Sequence, residues 1–163
     1  MKLAQSPHIP AEGSKPGWSD LPWLLPYALR GLWELARARL IFAKLEAKAI
    51  PQRNREAKQR ARSEREVESQ AVARMSYVLP RLSDRLPWRS DCLIQAIAAQ
   101  NWLSALGGAG EIQIGIELPE GGKFGAHAWL LYDEQIVTGG DIERYQLLLS
   151  DARLPPGSSD KEN

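Results

Sequence analysis

A chain of 163 residues, 44% apolar and 25% charged, has the material for one domain with a substantial core. A net charge of +1 argues against a dedicated polyanion binder, and a single cysteine excludes an intrachain disulfide framework and suits a reducing compartment. One Cys and two His are also poor material for a structural zinc site, so neither a metal nor another cofactor is implied.

Residues 1–17 carry Pro7, Pro10, Gly13, Pro16 and Gly17 and are expected to form a disordered tail, as are residues 154–163. No apolar run comes after Met1–His8, so no export signal is visible. Residues 18–79 read as a helical region. Ser19 or Asp20 can cap a helix whose first turn holds Pro22. Leu25, Leu29, Leu32, Trp33, Ala36, Leu40, Ile41 and Leu45 keep a 3.6-residue period, which predicts one or two amphipathic helices over 20–48, with Pro26 as the dividing point. The uncharged stretch from Leu21 to Leu29 is far short of the roughly 20 residues a spanning helix needs, and Arg30, Glu34, Arg37 and Arg39 interrupt the apolar residues beyond it. The expectation is a soluble, cytoplasmic protein.

Pro51 separates a second predicted helix, roughly 52–79, from the first. Its opening part, from Arg53 to Glu66, is almost wholly charged; its end carries a core stripe of Val67, Ala71, Val72, Met75, Val78 and Leu79. A basic tract invites a nucleic-acid reading. Glu56, Glu64, Glu66 and Glu68 are interspersed and no aromatic platforms flank the arginines, so a solvated face is favoured and no nucleic acid is expected. A docking surface for an acidic peptide or partner protein stays open.

Residues 80–91 read as a connector holding Pro80 and Pro87. From Cys92 to about Leu106 the chain is apolar nearly all round, which marks a buried helix, ended by Gly107-Gly108. Residues 112–118 alternate as a half-buried strand, and Pro119–Lys123 is a turn. Phe124–Tyr132 is the next strand, Asp133-Glu134-Gln135 a hairpin turn, and Ile136–Thr138 the returning strand. Gly139-Gly140-Asp141 comes next, then a short final helix over Arg144–Leu149. The fold class is α+β.

The chemistry-bearing residues are few. With Ser90 or Asp91 as N-cap, Cys92 projects from a first helical turn, where free N–H groups and the helix dipole favour a thiolate and can hold an oxyanion. Alone, such a cysteine is more often an inert buried thiol. His127 shares a strand face with Trp129 and Leu131; facing the helix that presents the only cysteine, it is the candidate general base, the bland alternative being a satisfied core histidine. Asp141, just past the returning strand, is favoured over the turn residue Asp133 as the group that orients the imidazole, although it also suits an N-cap for the final helix. Trp88 and Trp129 can wall the site or donate an indole N–H, but fit packing roles better.

The segment Leu86-Pro87-Trp88-Arg89-Ser90-Asp91-Cys92-Leu93-Ile94-Gln95-Ala96, with Gly125-Ala126-His127-Ala128-Trp129 downstream, resembles the lasso peptide maturation B proteins of the transglutaminase-like cysteine protease superfamily. The resemblance spans about residues 70–150. It implies a transglutaminase/papain-like core over 80–153, with a central Cys-bearing helix and a small antiparallel sheet, against which the helical N-terminal half packs. It also implies a leader peptidase acting on a ribosomally made precursor peptide, with Cys92, His127 and Asp141 as nucleophile, base and orienting acid. Residues 18–79 lack the strands of the leader-recognition domain fused to some members. The likeness is therefore to the stand-alone protease, which implies a separate leader-recognition protein and an ATP-dependent lasso cyclase as partners. Two other readings stay open: a transglutaminase-type acyl transferase using the same three residues, and a non-catalytic helical adaptor that binds a peptide or partner protein. The helical N-terminal half can cover the sheet, form a partner interface, or touch a membrane surface through Trp18, Trp23 and Trp33.

Overall fold

The computed structural model describes residues 16–45, 49–61, 67–88, 91–117 and 125–149. The predicted tails, apart from Pro16 and Gly17, and the turn at 119–123 lie outside the described residues. The elements are a 3-10 turn (Trp18–Asp20), α1 (Leu21–Phe42), α2 (Ile50–Arg60), α3 (Ser69–Ser83), α4 (Cys92–Ala105), and strands β1 (Glu111–Glu117), β2 (Gly125–Tyr132), β3 (Gln135–Thr138) and β4 (Gln146–Leu149). The protein is α+β, as expected: the described residues form four helices and a four-stranded antiparallel sheet of order β3-β2-β1-β4, with α2, α3 and α4 against the sheet and α1 packed on α3 and α4.

The buried Asp20 carboxylate starts α1: it accepts the Gly17 N–H at 2.8 Å and the Trp23 indole N–H at 3.3 Å. Pro22 sits in the first turn, where its missing N–H costs nothing. Pro26 does not divide the helix; its ring lies on the exposed side and α1 runs on to Phe42. Gly31, Glu34, Leu35 and Ala38 form the face buried against α3 and α4. At Gly31 the helices meet closely: a Cβ there would stand 2.9 Å from Leu82 Cδ1 and 3.2 Å from Val78 Cγ1.

The single helix expected over 52–79 is two. Pro51 belongs to the first turn of α2 rather than preceding it, and Ala61 leaves helical backbone space at φ −66°, ψ 79°. α3 extends through Pro80 to Ser83, so the expected connector starts later than predicted. In α2, Arg60 pairs with Glu56 at 2.8 Å, a solvated contact of the kind the interspersed acids suggested. Arg53 instead turns inward and donates to Asn101 Oδ1; burial, with Arg60 and Arg37 nearby, pushes its guanidinium below the usual arginine range, against the pull of Glu56.

α4 is the central element. Ile94, Ala96, Ile97, Ala98, Ala99, Trp102 and Leu103 are buried along it, and a Schellman turn ends it, with Gly107 at φ 94° and the Gly108 N–H on the Leu103 carbonyl at 2.9 Å. The sheet lays Ile112, Ile114, Ala128, Leu130 and Tyr132 toward this core. β2 and β3 join through Asp133-Glu134, both at positive φ (48° and 60°), as a two-residue hairpin turn whose twist matches the strands. The final segment is not a helix. Gln146–Leu149 forms β4 and pairs with β1, because the open edge of β1 at Ile114–Ile116 offers a ladder that outweighs the local preference of three leucines.

Beyond the reach of β4, a buried side chain caps the same edge of β1. Asn54 on α2 donates to the Ile112 carbonyl and accepts the Ile112 N–H, both at 2.9 Å, and also accepts from Gln100 Nε2 at 2.9 Å, which donates to the Gly110 carbonyl as well. One amide thus ties α2, α4 and β1 together. Asn54→Ala should cost about 2–4 kcal/mol by leaving both backbone groups of Ile112 buried and unpaired, read as a lower urea midpoint at unchanged m-value.

Candidate active site

Cys92 is the first residue of α4. Asp91 precedes it in extended backbone (φ −59°, ψ 161°) and its side chain makes no capping bond; Ser90 lies outside the described residues. The first intrahelical bond runs from the Gln95 N–H to the Asp91 carbonyl, so the N–H groups of Cys92, Leu93 and Ile94 begin the helix without intrahelical acceptors. The thiol is partly exposed and accepts the Ala128 N–H at 3.4 Å. It therefore meets β2 one residue from His127, where β3 has already ended opposite Leu130.

His127 does not face α4. Ala128 and Leu130 occupy that side, and the imidazole lies on the opposite face with Trp129, stacked on Tyr145 at 4.8 Å between ring centroids and 27° between planes. Gly115, across from His127 in the register, makes room there: a Cβ would stand 2.8 Å from the Trp129 ring and 2.9 Å from Tyr145 Cβ. Trp129 itself donates its indole N–H to Gln113 Oε1 at 2.8 Å. The imidazole and the thiol nevertheless line one cavity of about 440 Å³ at the end of β3, with Ser76, Pro80, Arg81, Gln95 and the segment Ile136–Gly140.

His127 Nε2 lies 2.6 Å from the Gly139 carbonyl oxygen. A carbonyl only accepts, so Nε2 carries the proton in this bond and Nδ1 is left as the basic nitrogen. Gly139 and Gly140, at φ 118° and 63°, turn the chain so that this carbonyl, rather than a carboxylate, meets the ring. Asp141 lies exposed just beyond, its Oδ1 accepting the Glu143 N–H at 3.0 Å. The structure thus brings Cys92 and His127 to one cavity and places Asp141 on the turn behind the histidine's hydrogen-bond acceptor. Asp133 is exposed in the hairpin turn. Trp88 is half-buried, and neither it nor Trp129 is among the residues lining the cavity.

Sequence reasoning did not single out several of these parts. Gln95, one turn beyond Cys92, is fixed in the cavity wall by donating to Ser83 Oγ at 2.9 Å. The sequence pattern places Tyr145 within a helix and gives Thr138 no sign beyond the end of a strand. The adjacent glycines were the available signal for the Gly139 carbonyl: paired glycines mark a backbone path that only they adopt easily.

Chemically, a thiol at a helix start, a backbone N–H beside it, and an imidazole with a defined basic nitrogen are the parts of a cysteine acyl-transfer site. Among the described residues no group of three or more His, Cys, Asp or Glu side chains could hold a metal ion. Comparisons with curated proteins and with solved structures give no match. The family model described as transglutaminase-like superfamily matches residues 32–150, which include α4, the whole sheet and part of α1. The chain, whose Cys-bearing helix and His-bearing strand share this cavity, belongs to the transglutaminase-like superfamily, which includes cysteine peptidases and acyltransferases.

Proposed function

We propose that the protein is a cysteine peptidase that removes the leader from a ribosomally synthesised precursor peptide during lasso peptide biosynthesis, with Cys92 as nucleophile and His127 as base. One observation carries the catalytic part: the Cys92 thiol at the first residue of α4 accepts the N–H of the residue after His127, and both side chains line one cavity. The peptide class rests on the likeness of Cys92-Leu93-Ile94-Gln95-Ala96 and Ala126-His127-Ala128-Trp129 to the lasso maturation B proteins.

In this mechanism His127 Nδ1 takes the thiol proton and the thiolate attacks the scissile carbonyl. Helix-start N–H groups hold the tetrahedral oxyanion. The C–N bond breaks as the imidazolium gives its proton to the leaving amine, which becomes the free N-terminus of the core peptide. Water then gives a proton to Nδ1 and attacks the thioester, releasing the leader carboxylate and the Cys92 thiolate. Gly139 O holds the Nε2–H in both charge states of the ring, so that Nδ1 is the nitrogen that takes up and releases the proton. Asp141, the orienting acid by the same likeness, would act through the turn that presents that carbonyl, its Oδ1 accepting the Glu143 N–H.

A separate leader-recognition protein would deliver the precursor, and an ATP-using cyclase would consume the core. Incubating the protein with precursor and leader-binding partner should give a free leader acid and a core with a free amine, by intact mass. A leader joined to an added amine would assign the transferase chemistry, which differs only in the nucleophile that resolves the thioester; an unchanged precursor would leave the adaptor reading.

The position of Asp141 yields its own expected result. Asp141→Asn keeps an oxygen for the Glu143 N–H and should leave kcat within about tenfold of wild type, whereas a carboxylate needed directly by the imidazole would lose about 10⁴-fold on the same change. Steady-state cleavage of the precursor separates the two.

A further inference from the structure

α1 is apolar on two opposite sides, and the fold covers one of them. Gly31, Glu34, Leu35 and Ala38 are buried on α3 and α4. On the other side Leu21, Leu25, Leu29, Leu32, Trp33 and Leu40 recur at helical spacing, with Leu25 60%, Leu29 62%, Trp33 62% and Leu40 71% exposed. Trp18, 90% exposed, continues the stripe into the preceding turn. Over 22 residues this makes a ridge about 33 Å long, larger than the isolated apolar patches of ordinary protein surfaces. Trp23 does not belong to it: its ring packs edge-on against Tyr27 and Tyr77, under the Arg74 guanidinium.

The charges beside the ridge say what covers it. Arg30, Arg37, Arg39 and Lys44 are exposed, while the single acid of α1, Glu34, is buried and held by Arg30 at 2.6 Å and Arg37 at 3.8 Å. The exposed side of α1 therefore carries cations and no anion. A second copy laid ridge to ridge would set arginines against arginines, so self-association is disfavoured. A convex apolar ridge with tryptophans at two points and a cationic border needs no complementary groove from an interfacial lipid layer, and its border matches anionic headgroups. No described helix is long and apolar enough to cross a membrane, so the contact lies in the plane of the surface.

We infer that the exposed face of α1, from Trp18 to Leu40, docks the protein on anionic lipid surfaces. The ridge points away from α3, which supplies Ser76, Pro80 and Arg81 to the Cys92 cavity, so docking leaves the cavity open and is independent of the peptidase reading.

The test is flotation with vesicles of phosphatidylcholine and phosphatidylglycerol (7:3) against pure phosphatidylcholine at low salt. The wild-type protein should float with the anionic vesicles and release as salt rises. Leu29→Glu combined with Trp33→Glu should reduce binding at least tenfold, as should Arg39→Glu, while Leu148→Glu, at an exposed leucine of β4, should bind as wild type. Circular dichroism and precursor cleavage should be unchanged in all of them. Absence of flotation by folded wild type, undiminished binding of the double variant, or a wild-type dimer that the double variant dissolves would each overturn the inference, the last assigning the ridge to a second copy. Loss of an associated protein partner in the double variant, without vesicle binding by wild type, would do the same and assign the ridge to a protein groove.

Discussion

Cys92→Ala is expected to lower precursor cleavage by about 10⁴-fold or more, with the fold intact. The side chain lost is small and only partly buried, at the first turn of α4, so the cavity left behind is minor and thermal stability should stay within about 1 kcal/mol of wild type. Catalysis, by contrast, loses the only atom that can form the thioester: among all 163 residues there is no second cysteine to substitute for it. His127→Ala should fall nearly as far, and the double variant little further, because nucleophile and base act as one unit. Cleavage monitored by mass spectrometry, with denaturation curves on the same preparations, checks both halves. Retained cleavage by the alanine variant removes Cys92 from the mechanism. Iodoacetamide supplies an independent measure: an activated Cys92 alkylates faster than a model thiol near neutral pH, and His127→Ala should abolish that advantage.

The legible parts of the chain carried strong local signals. The apolar run after Cys92 has no polar face, and a helix of that kind belongs at the centre, where α4 lies. Alternation placed β1 and β2 within a residue of their ends, and it paired His127 with Trp129 on one face. Which face that was could not be read locally. Ala128 and Leu130 are as apolar as Trp129, and only the register with Gly115, which admits the indole and Tyr145, sends the larger rings to the sheet face away from α4, where Trp129 is still buried. β4 was hidden for a similar reason. Gln146–Leu149 has no strand pattern of its own and becomes a strand because β1 presents an unpaired edge. Hairpin spacing locates the Cα of Asp141 but not the direction of its side chain. Two residues at positive φ reorient everything after them, and the oxygen that meets His127 is the carbonyl of Gly139.

That pair of glycines supports the second large effect. Gly139→Ala should cost about 3 kcal/mol of stability and most of the activity, while Gly140→Ala should cost about 1 kcal/mol and little activity. Both sit at positive φ, so both substitutions meet the backbone penalty of an L-residue in that region. They differ in space. A Cβ on Gly140 meets nothing within 4 Å, whereas one on Gly139 would stand 2.4 Å from Trp129 Cβ and 3.0 Å from its Cα. Backbone on the adjacent strand cannot swing aside as a flexible side chain does, so the β3 exit must move outward, and the Gly139 carbonyl with it. The 2.6 Å bond to His127 Nε2 is then lost, and with it the restraint that fixes the tautomer and the ring orientation. Urea titration at a temperature where all three proteins are folded gives the stability difference, and kcat measured there gives the catalytic one. If Gly139→Ala destabilises as expected yet retains wild-type kcat, the carbonyl does not orient the imidazole, and the Asp141→Asn rate decides whether the carboxylate does.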